Sequence, residues 1–169
     1  MNMIGKYLRV TPTQLLRVIE DPEWAREFAR ELEDAEDAEE EAFPLVRVRR
    51  FSTDKAWELL AVLLGRADFP VDVIFGEEPF DEDGDRGYGP PRYLPVERVR
   101  TAAELLGRTS YDSLVQGVDR CEPAAAEAYP LIWDGDPESL EWARGHYTSL
   151  VMFFEGAAHD GDAMLLWLD

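Results

Sequence analysis

Residues 87–95 read GYGPPRYLP, a stretch that mixes residues that shape a loop with residues that recognise a ligand. Its glycines and prolines fix backbone geometry. Tyr88, Arg92 and Tyr93 supply the aromatic and guanidinium groups that binding surfaces favour. Arg92 and Tyr93 fall between the Gly-Pro loop and an expected helix start. A helix N-terminus offers unpaired N–H groups, and with an arginine beside it can hold an anion. Two tryptophans elsewhere in the chain, Trp57 and Trp133, complete a candidate ligand-binding set of Trp57, Tyr88, Arg92, Tyr93 and Trp133. The competing reading is architectural: a rigid corner before a helix, with Trp57 on the apolar face of another helix and packed in the core. Residue types leave both readings open.

Other chemistries find less support. His146 and His159 are far apart, and with one cysteine, Cys121, the chain has no zinc-like ligand spacing. Asp160 and Asp162 beside His159 read as a polar turn. Residues 81–92 begin like a calcium loop, with Asp81, Asp83 and Asp85 at alternate positions. The match then fails, because Arg86 replaces the sixth-position glycine and Arg92 stands where a bidentate glutamate belongs. No G-x-S-x-G, no phosphate-cradling G-x-x-x-x-G-K and no G-x-G-x-x-G after a strand is present. The reading therefore assigns no catalytic residue, no metal and no cofactor.

Composition narrows the partners. The chain of 169 residues carries 36 acids against 17 bases, a formal net charge of −19. Nucleic-acid binding draws on neutralisation of phosphates by Lys and Arg, so a polyanion is an expected non-partner, and anionic membranes are disfavoured for the same reason. A basic protein or a small anionic ligand remains admissible. No apolar run is long enough for a membrane-spanning helix, the first residues lack signal-peptide character, and a lone cysteine permits no internal disulfide. A cytoplasmic location is the expectation.

The elements that must position these groups follow from local signals. Ile4–Val10 reads as a strand ending at Thr11-Pro12. A helix capped by Thr13 is expected through Ile19, with Leu15, Leu16 and Ile19 on one face. Asp21-Pro22 opens a second helix bearing the stripe Trp24, Phe28, Leu32, whose end runs into the acidic stretch 31–41. Arg47–Arg50 is read as neutralising that run, with an anion site as the alternative. Ser52, Thr53 and Asp54 look like caps for a helix with Trp57, Leu60, Ala61 and Leu64, stopped by Gly65. Residues 69–76 alternate like a strand but are too short to decide. Val96, Val99, Ala103 and Leu106 mark a helix entered from Pro95 and ended at Gly107, and a short helix is expected over Tyr111–Val118. After the turn Asp134–Pro137, a long helix follows through Leu140, Ala143, Tyr147, Leu150, Phe154 and Ala157. AMLLWL is a continuous apolar run of strand length, which implies burial on both faces inside a sheet.

Several short stretches together resemble the YfbM-like family of small bacterial proteins. They are Met1-x-Met3-x-Gly5, Asp54-Lys55-x-Trp57 with Leu60 and Leu64, Gly87-Tyr88-Gly89-Pro90, Arg92-Tyr93-Leu94 and Tyr129-Pro130-x-x-Trp133. The ending fits as well: Leu150, Phe153-Phe154, Ala157-Ala158, Gly161 and an apolar last strand. The resemblance implies a single α+β domain over 1–169. With the reading above it gives a sheet that holds the N- and C-terminal strands, covered by five or six helices. It implies no activity, the family being one of unknown function. Three function classes stay open: an acidic module that binds a basic protein, as an immunity-type or regulatory partner; a small-molecule or anion binder using the 87–95 loop; and an enzyme of no familiar motif class.

Overall fold

The computed structural model describes residues 3–37, 49–81, 89–116 and 137–168. Its first and last strands pair with each other. β1 (Gly5–Val10) lies antiparallel to β5 (Ala163–Leu168), from Gly5 opposite Leu168 to Val10 opposite Ala163. Around this pair the sheet adds β2 (Arg50–Asp54) beside β1, then β4 (Arg92–Leu94) and β3 (Glu78–Pro79) beside β5. The order is β2-β1-β5-β4-β3, antiparallel throughout. Six helices among the described residues cover both faces, so the chain is a single α+β domain with an open sheet.

Strand alternation decides what each face buries. Tyr7, Leu94, Met164 and Leu166 point into the larger core. That core is filled by α3 (Trp57–Arg66), α4 (Val96–Arg108), α5 (Tyr111–Val115) and α6 (Pro137–Asp160). Its aromatic centre sets Tyr7 against Phe51, Phe153 and Phe154 at ring separations of 5.7, 6.4 and 6.2 Å. Leu8, Val10, Ala163 and Leu165 point the other way, under α1 (Pro12–Glu20) and α2 (Pro22–Asp37). The run AMLLWL is therefore central and covered on both faces, as its unbroken hydrophobicity implies.

Several local signals act as expected. Asp21 accepts the N–H of Trp24 at 3.3 Å and Pro22 is the first residue of α2. Trp24, Phe28 and Leu32 pack against the smaller core, with Trp24 and Phe28 stacked at 4.9 Å. Pro95 precedes α4. Arg50 faces Glu33 at 3.8 Å, which fits neutralisation of the acidic run. Arg49 does something else, donating to Gln14 and to the backbone oxygen of Arg9, both at 3.0 Å.

Other expectations need correction. α1 is capped by Thr11, which accepts from Gln14 N at 3.2 Å while the Gln14 side chain accepts from Thr11 N at 2.9 Å. Of the expected face, Leu15 is buried, but the helix packs on the sheet through Leu15 and Val18 and leaves Leu16 and Ile19 exposed. Ser52, Thr53 and Asp54 belong to β2 and the turn after it. Asp54 is left-handed at φ 51°, and Ala56 N reaches Thr53 O at 3.0 Å. α3 follows from Ala56 with no side-chain cap and passes through Gly65, and α4 likewise passes through Gly107. Residues 69–76 are turns held by Asp72, which accepts from the N–H of Ile74 and Phe75 at 3.1 and 2.8 Å. α5 ends at Val115 rather than Val118. Cys121, Arg47, the acids at 39–41, residues 82–86 and the turn at 134–136 lie outside the described residues.

One close approach explains a glycine. β1 meets the start of α3 at Gly5, where an added Cβ would stand 2.3 Å from Thr53 Oγ1 and 3.2 Å from Trp57 Cβ. Trp57 is held there by its indole N–H, which donates to Met3 O at 2.9 Å.

Candidate functional site

The sheet separates two of the residues that sequence reasoning grouped together, Trp57 and Tyr93. Trp57 is 4 % exposed, in the larger core, edge-on to Phe75 at 5.8 Å. Arg92 pairs with Leu166 across β4 and β5, which puts it on the same face as Trp57. Tyr93 pairs with Leu165 and packs into the smaller core on the opposite face. Trp57 and Tyr93 therefore do not converge on one cavity. Tyr88 and Trp133 lie outside the described residues. Arg92 folds back over Gly89: a Cβ at Gly89 would stand 3.2 Å from its Nη1, and Gly89 itself has φ 92°. The loop thus uses glycine for a left-handed turn beneath an arginine, then becomes a three-residue strand.

A cleft opens on the Tyr93 side of the sheet, between the sheet and α2. Its volume is about 370 Å³, within the usual range for small-molecule sites. The floor is a row of the sheet: Lys6 of β1 lies directly opposite Trp167 of β5, with Leu165 next on the same face. Phe80 and Pro91 form one wall, their backbones joined by Phe80 N to Pro91 O at 3.1 Å. Gly89 also lines it, so the 87–95 stretch does reach the cleft, through Gly89 and Pro91.

α2 forms the opposite side because of a repeat in its sequence. Residues 25–31, AREFARE, place Ala-Arg at 25–26 and again at 29–30, one helical turn apart. Both alanines and both arginines line the cleft. The small alanines leave a gap between helix and sheet where a leucine would close it, and the arginines stand at the rim. Arg26 donates from Nη2 to Asp81, an ion pair in which Asp81 is 8 % exposed and Arg26 53 %. Glu33, another lining residue, faces Arg50 at 3.8 Å. Arg30 makes no ion pair among the described residues.

The electrostatics of this lining invert those of the chain. Acids outnumber bases 36 to 17 overall. Among the described lining residues, cations (Lys6, Arg26, Arg30) outnumber carboxylates (Glu33, Asp81). No Ser, Thr, Cys or His lines the cleft among those residues, and no described cluster of His, Cys, Asp or Glu has the grouping to hold a metal. The side chains supply cations, carboxylates and aromatic surface, which are means of recognition. Sequence reading missed Lys6, Arg26, Arg30, Phe80, Asp81 and Trp167. The signal available in it was the Ala-Arg repeat on the helix that carries the Trp24–Phe28–Leu32 stripe.

The carboxylates near His159 are also accounted for. Asp160 and Asp162 both pair with Arg9, which is 2 % exposed on β1. No described helix is long and apolar enough to cross a membrane.

Comparison with known proteins bears on the whole chain. A family model described as "Domain of unknown function (DUF1877)" matches residues 1–167. A crystal structure of a protein of unknown function, YfbM from Escherichia coli, superposes with a TM-score of 0.61 at 14 % identity. The match covers 98 % of this chain and 99 % of that one. At that identity the likeness is one of fold. No curated protein matches.

Proposed function

The chain belongs to the family described as domain of unknown function DUF1877, and from that premise we propose that it is a small-molecule-binding protein whose ligand lies in the cleft between α2 and the sheet. The observation that supports this is the cleft itself: about 370 Å³, floored by Trp167 and Leu165, walled by Phe80 and kept open by Ala25 and Ala29. A concave site with an aromatic floor and a few placed charges is the usual form of a small-molecule site. The 87–95 loop contributes through Gly89 and Pro91, while Arg92 and Tyr93 set the strand that holds the wall in place.

Ala29→Phe is the test, because a benzyl group at that position occupies the cleft without removing a charge. Ligand-observed NMR with a library of small aromatic acids, amides and amines should find binders to the wild type that are lost in the variant. The thermal midpoint of the variant checks that it is folded. Binders that engage both proteins equally would refute the cleft as their site.

A second reading rests on the net charge of −19: a basic protein partner, held through the acidic surface, with nucleic acid repelled. Affinity for such a partner should fall steeply as salt screens the surface. A complex insensitive to salt would count against it.

A further inference from the structure

We propose that the ligand of this cleft is an amphipathic organic anion, its carboxylate or phosphate seated on Arg30 and Arg26 and its planar apolar body on Trp167 and Phe80. The inference rests on the cleft reading above and adds the chemical class.

Each described lining carboxylate has an arginine of its own: Asp81 has Arg26, and Glu33 has Arg50. A cationic ligand would have to displace one of them. At Asp81, only 8 % exposed, displacement would leave a poorly hydrated carboxylate without its arginine. An anionic ligand at Arg30 displaces no ion pair among the described residues. Arg30 has no ion pair among the described residues and stands one turn from Arg26 on the same rim. Arg26 uses one nitrogen on Asp81, and a guanidinium carries further N–H donors in its fork. Asp81 thereby acts as a positioning residue, holding Arg26 over the cleft. The guanidinium fork suits carboxylate and phosphate, which it can grip with two parallel N–H donors.

The apolar half comes from the floor. Trp167 and Phe80 are partly buried rather than sealed, and both line the cleft beside Leu165. An inorganic anion would leave this surface uncovered. A neutral aromatic would leave Arg30 unmatched. An anion on a planar body satisfies both.

The test uses four probes that share one ring system: naphthalene-2-carboxylate, 2-naphthyl phosphate, naphthalene-2-carboxamide and 2-naphthylmethylamine. Each is titrated into isotopically labelled wild-type protein, reading the Trp167 indole N–H and the arginine Nε–H signals. Titrations are repeated with Arg30→Gln and Ala29→Phe. The expected result is that one or both anions bind about tenfold or more tighter than the amide, the scale of one charge-assisted contact. Which anion wins identifies the head group. Arg30→Gln should remove most of the anions' advantage over the amide, Arg26 keeping the remainder, and leave the amide unchanged. Acid and amide binding equally to the wild type, with both lost in Ala29→Phe, would overturn the anion assignment and leave the cleft reading standing. So would an Arg30→Gln effect of equal size on all four probes. Binding that survives Ala29→Phe, or no binding by any probe, would overturn the cleft reading and this inference with it.

Discussion

Arg9→Met tests how the two ends of the chain are locked together. Arg9 lies in β1, 2 % exposed, with its guanidinium beneath the last turn of α6. Its Nε and Nη2 reach Asp162 Oδ2 at 3.0 and 2.9 Å, Nη2 also donates to Gly156 O at 3.1 Å, and Asp160 completes the set. One side chain thus joins the first strand to the C-terminal turn of the longest helix and to the turn before β5. The partial negative charge of that helix end adds to the attraction. Methionine keeps much of the aliphatic stem and removes the charge and the donors. Asp162, 4 % exposed, is then left without its arginine. Removing one partner of a buried pair costs about 3–5 kcal/mol, against about 5–15 kcal/mol for the stability of a whole domain. For a chain of this length each kcal/mol lowers the midpoint by about 2–4 °C, so a fall of about 6–20 °C is expected. The assay is thermal and urea unfolding followed by far-UV circular dichroism. Adding Asp162→Asn to Arg9→Met should recover part of the loss, because a neutral amide is cheaper to bury than an unpaired carboxylate. A loss below about 1 kcal/mol, the scale of an exposed pair, would refute the reasoning, as would a double variant no more stable than Arg9→Met.

Two further predictions follow from the core. Gly5→Ala should destabilise by about 1–3 kcal/mol, since its Cβ would meet Thr53 Oγ1 at 2.3 Å and Trp57 Cβ at 3.2 Å; urea unfolding at the scale of the wild type would show that the strand can shift freely. At high pH, burial pushes the Tyr111 and Tyr147 phenols up to about 12, and Tyr7 further still, where burial and then the nearby Asp72 carboxylate both oppose ionisation. These groups ionise more easily in the unfolded chain, near pH 10, so their contribution is whole below that pH and is lost as pH rises through about 12. Tyrosinate absorbance should therefore appear in two stages, the second together with loss of circular dichroism. A single stage near pH 10 with the fold intact would refute the burial argument.

Much of the architecture was readable because its causes are local. Asp21-Pro22, Pro95 and the apolar spacing of Leu140 through Ala157 announce α2, α4 and α6 within a few residues of each position. The unbroken AMLLWL could be placed inside the sheet because a strand wet on one face would alternate. Where reading went astray, two local signals competed. Thr11 and Thr13 both fit a cap; of the expected face Leu15, Leu16 and Ile19, Leu15 is buried, with Val18 in place of Leu16 and Ile19. Ser52-Thr53-Asp54 suits a cap and a turn equally, and pairing with β1 drew it into β2.

The candidate site was legible in part. The stretch 87–95 does reach the cleft, where Gly89 and Pro91 line it, and holds a glycine in a left-handed turn. It could not show that Trp57 and Tyr93 look out from opposite faces, because sidedness depends on strand register, and a shift of one residue exchanges the faces. Nor could it show that Arg9 is buried, since a lone arginine in a strand reads as solvent-facing until acids at 160 and 162 are brought against it. The helix repeat, the Asp21-Pro22 start of α2 and the charge balance were settled by the order of amino acids alone, acting over a few bonds or by simple count. The cleft, the buried ion pair and the separation of the aromatics were decided only when residues distant in sequence met, because pairing of the first and last strands chooses which side chains share a face.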